Sequence, residues 1–133
     1  MRKLKTKNSR PTIKELDKLW ADCVKARAGN RCEYSGKTEG LNAHHVHGKP
    51  NYRLRYELDN GVCITKGVHF FVAHVQGRAE AFKVWAMRLR GLNNEKAQLL
   101  GMNCGASDLF LIKLLLQKKL KEFNANPIPP KST

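Results

Sequence analysis

All five histidines of the chain fall between positions 44 and 74, namely His44, His45, His47, His69 and His74. Neutral imidazole binds divalent metal ions, and it is also a general base near pH 7. Hydrolysis of a phosphodiester needs a base that deprotonates the attacking water and a cation that neutralises charge on the phosphate. The clustering therefore indicates either one site with this chemistry or a small core that happens to hold the rings.

The charge of the chain is strongly positive, because 25 Lys and Arg stand against 11 Asp and Glu, for a formal net charge of +14. Such self-repulsion destabilises a compact domain unless a polyanion relieves it, so nucleic acid is the favoured partner. Solubility and ribosomal association are the alternatives. Residues 32–77, which hold the histidines, carry five basic and four acidic groups, whereas each flanking segment carries ten basic groups. This arrangement suits a reactive centre held against a phosphate backbone by its neighbours.

A chain of 133 residues can bury one modest core and fits a single domain. The expected division is a basic flexible arm over residues 1–11, one domain with helical flanks over residues 12–123, and a flexible tail over residues 124–133. The four cysteines form no CxxC pair, the N-terminal segment lacks an apolar stretch, and Lys113 interrupts the longest apolar run. We therefore expect free thiols, a cytoplasmic location and no membrane span.

The segments around the first histidines predict a helix and two short strands. Thr12 is an N-cap candidate, Glu15 completes a capping box, and Gly29 ends the helix. The stretches "LNAHHV" and "VCIT" are typical of strands, and they enclose a loop whose turn signal is "HGKPN". Because neighbouring residues of a strand point to opposite sides, His44 and His45 cannot share one role. One can face a metal ion while the other faces a substrate.

The second half of the chain predicts helices. The pattern of "VHFFVAHVQGRAEAFKVWAMRLRG" is helical, although Gly77 is positioned to interrupt it. Ser107 is expected to cap a last helix that runs from Asp108 to about Phe123. This last helix is apolar over most of its circumference, which predicts a core helix or, as the alternative, a dimer interface.

The pattern "AHHV … DNG … H … H" resembles that of the HNH, or ββα-metal, nucleases. Asn60 follows His45 by fifteen residues, and His69 follows Asn60 by nine. Both intervals are similar to those of HNH domains such as the colicin DNases. The resemblance implies that His44 binds the metal and that His45 is the general base. It also implies that Asn60 braces the loop and orients the base, while His69 and His74 complete the metal site from the helix.

The flanking segments, "LWADCVKARAGNRCEYSGK" and "AFKVWAMRLRGL", resemble phage-encoded HNH proteins, including the recombination-endonuclease group. The resemblance implies an α+β fold in which a small ββα-metal centre is flanked by an N-terminal helix and C-terminal helices. It also implies a metal-dependent DNA endonuclease that leaves 5′ phosphate and 3′ hydroxyl ends. The implied setting is phage DNA recombination or processing in the host cell cytoplasm. The alternative is a non-catalytic nucleic-acid-binding module with a degenerate HNH fold.

The implied cofactor is one divalent ion, Mg²⁺ or Mn²⁺, with Zn²⁺ or Ni²⁺ as alternatives. The implied partner is duplex or branched DNA, with a homodimer as a further option. Many HNH domains also hold a structural zinc with two CxxC pairs, but here Ser35 stands three residues after Cys32, and the second pair would fall at Thr65 and Val68. We therefore predict no structural zinc and expect Cys32 and Cys63 to be small buried hydrophobes. Core packing would replace the zinc, through Trp20, Tyr34, Phe70 and Phe71.

The spacing of the last two histidines departs from what an ideal helix allows. Residues five apart, such as His69 and His74, differ by about 140° around an α-helix, whereas residues four apart differ by about 40°. The two rings can meet at one metal if His69 lies in or before the first turn, or if the helix bulges. His47 has no counterpart in the motif and is interpreted as a surface or loop residue, or as the substitute ligand if His74 fails.

Basic side chains near the histidines are candidates for binding phosphates. Arg53 and Arg55 occupy alternate positions in the loop, so both guanidinium groups are expected to face one way and to bind phosphates bidentately. Lys49 and Lys66 are further candidates of the same kind. The alternative is that these are solvated loop charges.

Overall fold

The computed structural model describes residues 10–47, 54–75, 77–92 and 109–128. Within these residues the protein combines helices with one two-stranded antiparallel sheet, which is compatible with the expected α+β class. Two of the predicted phosphate-binding residues, Lys49 and Arg53, lie outside the described residues, as do most of the predicted arm and half of the predicted tail. Among the described residues, no helix has both the length and the apolar character that crossing a membrane requires.

Helix α1 spans Ile13–Arg27 and begins as the sequence predicts. The hydroxyl of Thr12 accepts a hydrogen bond from the backbone N–H of Glu15 at 3.1 Å, so the predicted N-cap is confirmed. One face of the helix is buried, because apolar residues recur every three or four positions. These buried apolar residues are Leu16, Trp20, Cys23, Val24 and Ala26.

Strands β1, Leu41–His45, and β2, Gly61–Thr65, form the antiparallel sheet. Leu41 pairs with Thr65 at one end, and His45 pairs with Gly61 at the other. All of β2 is buried, whereas β1 is only half-buried. The sheet is thus a short ribbon that presents both of its adjacent histidines at the end of β1.

The segment after β2 is not one continuous α-helix. The hydroxyl of Thr65 caps a single α-helical turn, α2, which spans Lys66–Val68. A π-helix over His69–Ala73 follows directly. The chain then turns at Gly77, whose φ of +88° favours glycine, before helix α3 begins at Ala79 and runs to Arg90. The predicted interruption at Gly77 is therefore confirmed.

Helix α4, Leu109–Ala125, packs against α1 with one of its faces. Leu116 is buried there, and its carbonyl oxygen accepts a hydrogen bond from the thiol of Cys23 at 3.1 Å. Three leucines on α4 are about half exposed, namely Leu111, Leu114 and Leu115. One face of the helix belongs to the core, as predicted, whereas the dimer interface stays a prediction. The predicted cap at Ser107 lies outside the described residues.

The turn-rich stretch at residues 31–40, which we call the knuckle, is held differently from what the sequence suggested. Trp20 is buried, but the expectation that Tyr34, Phe70 and Phe71 pack in the core was wrong, because they are 47%, 76% and 64% exposed. A buried carboxylate holds the knuckle instead. Glu33 accepts a hydrogen bond from the backbone N–H of Cys63 at 3.0 Å and forms an ion pair with Arg90.

Cys32, before β1, and Cys63, in β2, are fully buried free thiols, as predicted. Burial raises the pKa of Cys63 to about 12, with the nearby carboxylate of Glu33 adding to the effect. A thiol with this pKa stays protonated near pH 7, and only the thiolate is a strong metal ligand. The absence of a structural zinc itself stays a prediction.

Candidate functional site

Three of the five histidines meet at one point of the structure. His44 lies in β1, His69 is the first residue of the π-helix, and His74 directly follows the π-helix. One ring nitrogen from each lies within 4.8 Å of those from the other two. The ring centroids are 5.0 Å apart for His44 and His69, and 4.6 Å apart for His69 and His74. The three rings together form a donor set of the kind that holds one divalent metal ion.

The π-helix explains how two histidines five residues apart can converge. A π-helix forms hydrogen bonds between residues five apart, so each turn is wider and residues five apart lie above one another. His69 and His74 are such a pair, and the bulged helix considered from the sequence is the arrangement that the structure adopts. Segments of this kind are rare and occur frequently at functional sites.

Burial keeps two of the three rings in the form that binds cations. Burial, together with the neighbouring rings of His69 and His74, lowers the pKa of His44 to about 4. Burial also lowers the pKa of His69, and His74 adds to this effect. Both groups are therefore neutral near pH 7, so each ring has a nitrogen lone pair that can be donated to a metal ion.

His45 lies on the opposite side of β1 and is held by aromatic and polar contacts. Its ring stacks on the indole of Trp20, with a centroid distance of 3.8 Å and an interplanar angle of 6°. Its Nε2 lies 3.0 Å from the carbonyl oxygen of Arg55. Because a carbonyl oxygen only accepts hydrogen bonds, Nε2 carries the proton in this contact, and Nδ1 is the basic nitrogen. The ring is thus held in one orientation and one tautomer.

Asn60 is fully buried and joins both ends of the loop that follows β1. Its side-chain oxygen accepts a hydrogen bond from the backbone N–H of His47 at 2.8 Å. Its amide group donates to the carbonyl oxygens of His47 and Leu54, each at 3.1 Å. Its own carbonyl oxygen accepts from the N–H of Val46 at 2.8 Å. These contacts hold the backbone directly after His45, which is where a bracing residue has to act.

Two arginines that the sequence analysis did not single out hold the turn that presents Asn60. The buried guanidinium of Arg27 donates to the carbonyl oxygens of Leu58 at 3.0 Å and Gly61 at 2.8 Å. Arg90 donates to the same oxygen of Gly61 at 2.9 Å. Burial, together with the neighbouring Arg90, lowers the pKa of Arg27 to about 10. The position of Arg27 on the apolar face of α1 was the signal that could have revealed its role.

The remaining predicted site residues lie in different environments. Arg55 forms a two-pronged ion pair with Asp17, with distances of 2.8 Å from Nε and 2.5 Å from Nη2. Lys66 is exposed at the start of α2, next to the segment that carries His69. His74 is the third member of the cluster, and His47, the substitute ligand considered from the sequence, lies outside it. Binding of phosphates by Arg55 and Lys66 stays a prediction.

Both sides of the end of β1 border one small cavity of about 220 Å³. His44, His74 and His45 all contribute to its wall, although His44 and His45 point to opposite sides of the strand. A cation held by the three rings and a proton acceptor on His45 could therefore act on a single bound group. The other residues that line the cavity are Val46, Ala73, Ala79, Phe82 and Lys83.

Comparison of the chain with protein families, with curated proteins and with solved structures found no match.

Proposed function

We propose that the protein is a metal-dependent DNA endonuclease of the HNH type. The observation that carries the proposal is the convergence of His44, His69 and His74 within 4.8 Å, beside a cavity that His45 also lines. The net charge of +14 adds a reason for a polyanionic substrate. The spacing of His45, Asn60 and His69, together with the brace that Asn60 forms, agrees with the resemblance to HNH domains.

In the proposed reaction His45 removes a proton from the water that attacks the phosphorus atom. The stack on Trp20 and the contact between Nε2 and the carbonyl oxygen of Arg55 hold the ring so that Nδ1 accepts this proton. His44, His69 and His74 would hold a divalent cation, which would supply positive charge for the phosphate and the departing 3′ oxygen. Asn60 acts through His45 by fixing the backbone next to it. The expected products carry 5′ phosphate and 3′ hydroxyl ends.

The chemistry of the donor set bears on which metal the site takes. Imidazole nitrogen suits ions such as Zn²⁺ and Ni²⁺, whereas Mg²⁺ prefers oxygen ligands and retains several waters. The predicted Mg²⁺ or Mn²⁺ would depend on oxygens of the DNA phosphate and of water to complete its ligands. We therefore propose one divalent ion and test all four metals. A role in phage DNA recombination or processing in the host cytoplasm, and a homodimeric form, remain part of the proposal and depend on the resemblance.

The test is nicking of a supercoiled plasmid by the wild type, His45→Ala and His47→Ala at matched salt. Each protein is assayed with Mg²⁺, Mn²⁺, Zn²⁺ or Ni²⁺ and with EDTA. We expect metal-dependent nicking by the wild type and by His47→Ala, which serves as the matched control from outside the cluster. His45→Ala should lose about a hundredfold or more in rate, since general bases contribute that much. DNA binding in EDTA should be unchanged by the substitution.

Two outcomes would overturn the proposal. Equal nicking by the wild type and His45→Ala would mean that the activity is a contaminant or that the base lies elsewhere. If neither protein cuts plasmid or branched DNA with any metal, and both bind DNA equally in metal and in EDTA, the protein is the non-catalytic binding module. Binding alone does not distinguish the two functions, because a domain with this charge binds many nucleic acids.

A further inference from the structure

Two adjacent phenylalanines project from the π-helix between the histidines of the candidate metal site. Phe70 and Phe71 are 76% and 64% exposed, and their ring centroids lie 5.9 Å apart at an angle of 59°. We call them the aromatic pair. Phe70 directly follows His69 in the chain, so the pair lies on the same π-helix as one ring of the cluster.

The π-helix does not need the aromatic pair in order to attach to the rest of the protein. Ala73 is buried in the core cluster that includes Val62, Ile64 and Phe82, and Val72 packs against that cluster. Large aromatic side chains normally dominate the cores of small domains. Phe70 and Phe71 are exposed, although the same π-helix contacts the core through Val72 and Ala73. Binding of a ligand therefore explains their exposure better than a role in folding does.

The charges around the aromatic pair indicate the kind of ligand. The sequence holds no Asp or Glu between Asn60 and Glu80. The guanidinium of Arg78 donates to the carbonyl oxygen of Phe71 at 3.3 Å, and Lys66 is exposed four residues before Phe70. Exposed aromatic rings among cations suit a polymer that offers flat bases together with phosphates. An apolar protein surface would leave these cations without a counter-charge.

We propose that the aromatic pair stacks on unpaired bases, so that the substrate is DNA with an unpaired segment. In continuous duplex DNA the base faces are covered by their neighbours, and only the base edges are open to a protein. Ring faces such as those of Phe70 and Phe71 can bind bases only where the stack is already open or is opened on binding. This inference rests on the proposed nuclease function and names its substrate class.

The experiment measures binding in EDTA, where no metal-dependent cleavage competes, by fluorescence anisotropy. The two ligands are a perfect DNA duplex and a duplex of equal length and charge whose centre contains a short mismatched bubble. The proteins are the wild type, the double variant Phe70→Ala with Phe71→Ala, and a control, Leu114→Ala with Leu115→Ala. The control removes two similarly exposed apolar side chains from α4, far along the chain from the histidines.

The wild type and the leucine control should both bind the bubble more tightly than the duplex. The aromatic double variant should lose about tenfold or more in affinity for the bubble, because stacking on one base is worth about 1–3 kcal/mol. Its affinity for the duplex should stay within about twofold of the wild type. A fluorescent base analogue in the bubble should report stacking with the wild type and not with the variant. A metal-induced rise in Tm that persists in the variant shows that its histidine site is intact.

Three outcomes would overturn the inference: no preference for the bubble in the wild type, an equal loss on both DNAs, or a variant that changes from dimer to monomer by sedimentation. The last outcome would make the aromatic pair an interface between copies of the chain. The nuclease proposal fails independently, since plasmid nicking can be absent while the bubble preference persists. In the converse case, the protein cleaves DNA but does not prefer the bubble. The nuclease proposal then stands, and only the proposed role of the aromatic pair is wrong.

Discussion

The two sides of β1 are stabilised by different kinds of contact. On the side of His44, three imidazoles pack against one another in T-shaped or tilted contacts, and the π-helix, whose outer face is exposed, supplies one of them. On the side of His45, the ring stacks on the buried Trp20, and the backbone beside it is fastened by the fully buried Asn60. The first side thus consists of three rings that can each donate a nitrogen lone pair to a cation. The second side is held by a ring stack and by hydrogen bonds within the protein.

This difference fits the two roles proposed for the neighbouring histidines. A general base has to keep one orientation and one tautomer before the substrate arrives, so the protein itself has to hold it. Metal ligands gain their final positions from the ion, and the protein needs only to bring neutral rings together. The structure does this through burial, which lowers the pKa of His44, and through the wide turn of the π-helix.

Replacing Asn60 should destabilise the His45 side most. Asn60→Ala removes three side-chain hydrogen bonds, from the partly buried backbone groups of His47 and from the buried carbonyl oxygen of Leu54. Each such group costs about 1–3 kcal/mol, so the free energy of unfolding should fall by about 3 kcal/mol or more. Urea denaturation measures this change. Asn126→Ala, at an exposed residue beyond α4, is the control and should stay within about 0.5 kcal/mol. A cost below about 1 kcal/mol would contradict the bracing role.

Metal should stabilise the protein through the His44 side alone. A metal ion at about one hundred times its Kd stabilises the native state by about 2.7 kcal/mol, which raises Tm by several degrees. Differential scanning fluorimetry with Zn²⁺, Ni²⁺ and Mn²⁺ measures the rise, and EDTA should reverse it. His45→Ala should retain the rise, whereas His44→Ala should lose it. If His44→Ala responded like the wild type, the ion would be bound elsewhere.

Gly61 provides the space in which the indole of Trp20 supports His45. A Cβ atom at Gly61 would lie 2.6 Å from Cζ2 of Trp20 and 2.7 Å from Cγ2 of Val24. Gly61→Ala should therefore destabilise the protein by about 1–3 kcal/mol through overpacking. It should also lower the rate of nicking, because the indole has to move away from the ring of His45.

The matched control for that substitution is Gly67→Ala in α2, where the nearest atom to the added Cβ is Thr65 Oγ1 at 3.8 Å. This change should leave the stability equal or slightly higher, since alanine favours helix over glycine. Thermal and urea unfolding of both variants measure the difference in their stability. Equal stability of the two variants would show that Trp20 is not confined by β2.

The smallest effect should come from the ion pair between Arg55 and Asp17. The two side chains are about one fifth to one quarter exposed, and the contact is two-pronged, so Asp17→Asn should cost about 0.5–1 kcal/mol. The control is Asp22→Asn, which breaks the more exposed pair with Lys18 and should cost less than about 0.5 kcal/mol. A larger cost for Asp22→Asn in urea denaturation would contradict this ranking of the two pairs.

Those parts of the fold and site that depend on local patterns were predictable. The cap at Thr12, the two strands and the interruption at Gly77 follow from rules that involve only a few neighbouring residues. The resemblance placed His44, His69 and His74 at one site, and these are the three rings that the structure brings together. The outward direction of Phe70 and Phe71 was not predictable, because an apolar residue in a helical pattern is more often buried.

The sequence by itself determined the clustering of five imidazoles, the excess of positive charge and the alternation that sends His44 and His45 to opposite sides of a strand. Only the tertiary structure decided that the helix opens into a π-turn at His69, and that Arg27, Arg90 and Glu33 hold the turn before β2 and the residues around Cys32. The physical reason is the range of the interactions. Strand alternation and capping act within a few residues, whereas a helical turn and a buried charge are stabilised by groups that folding brings together from distant parts of the chain.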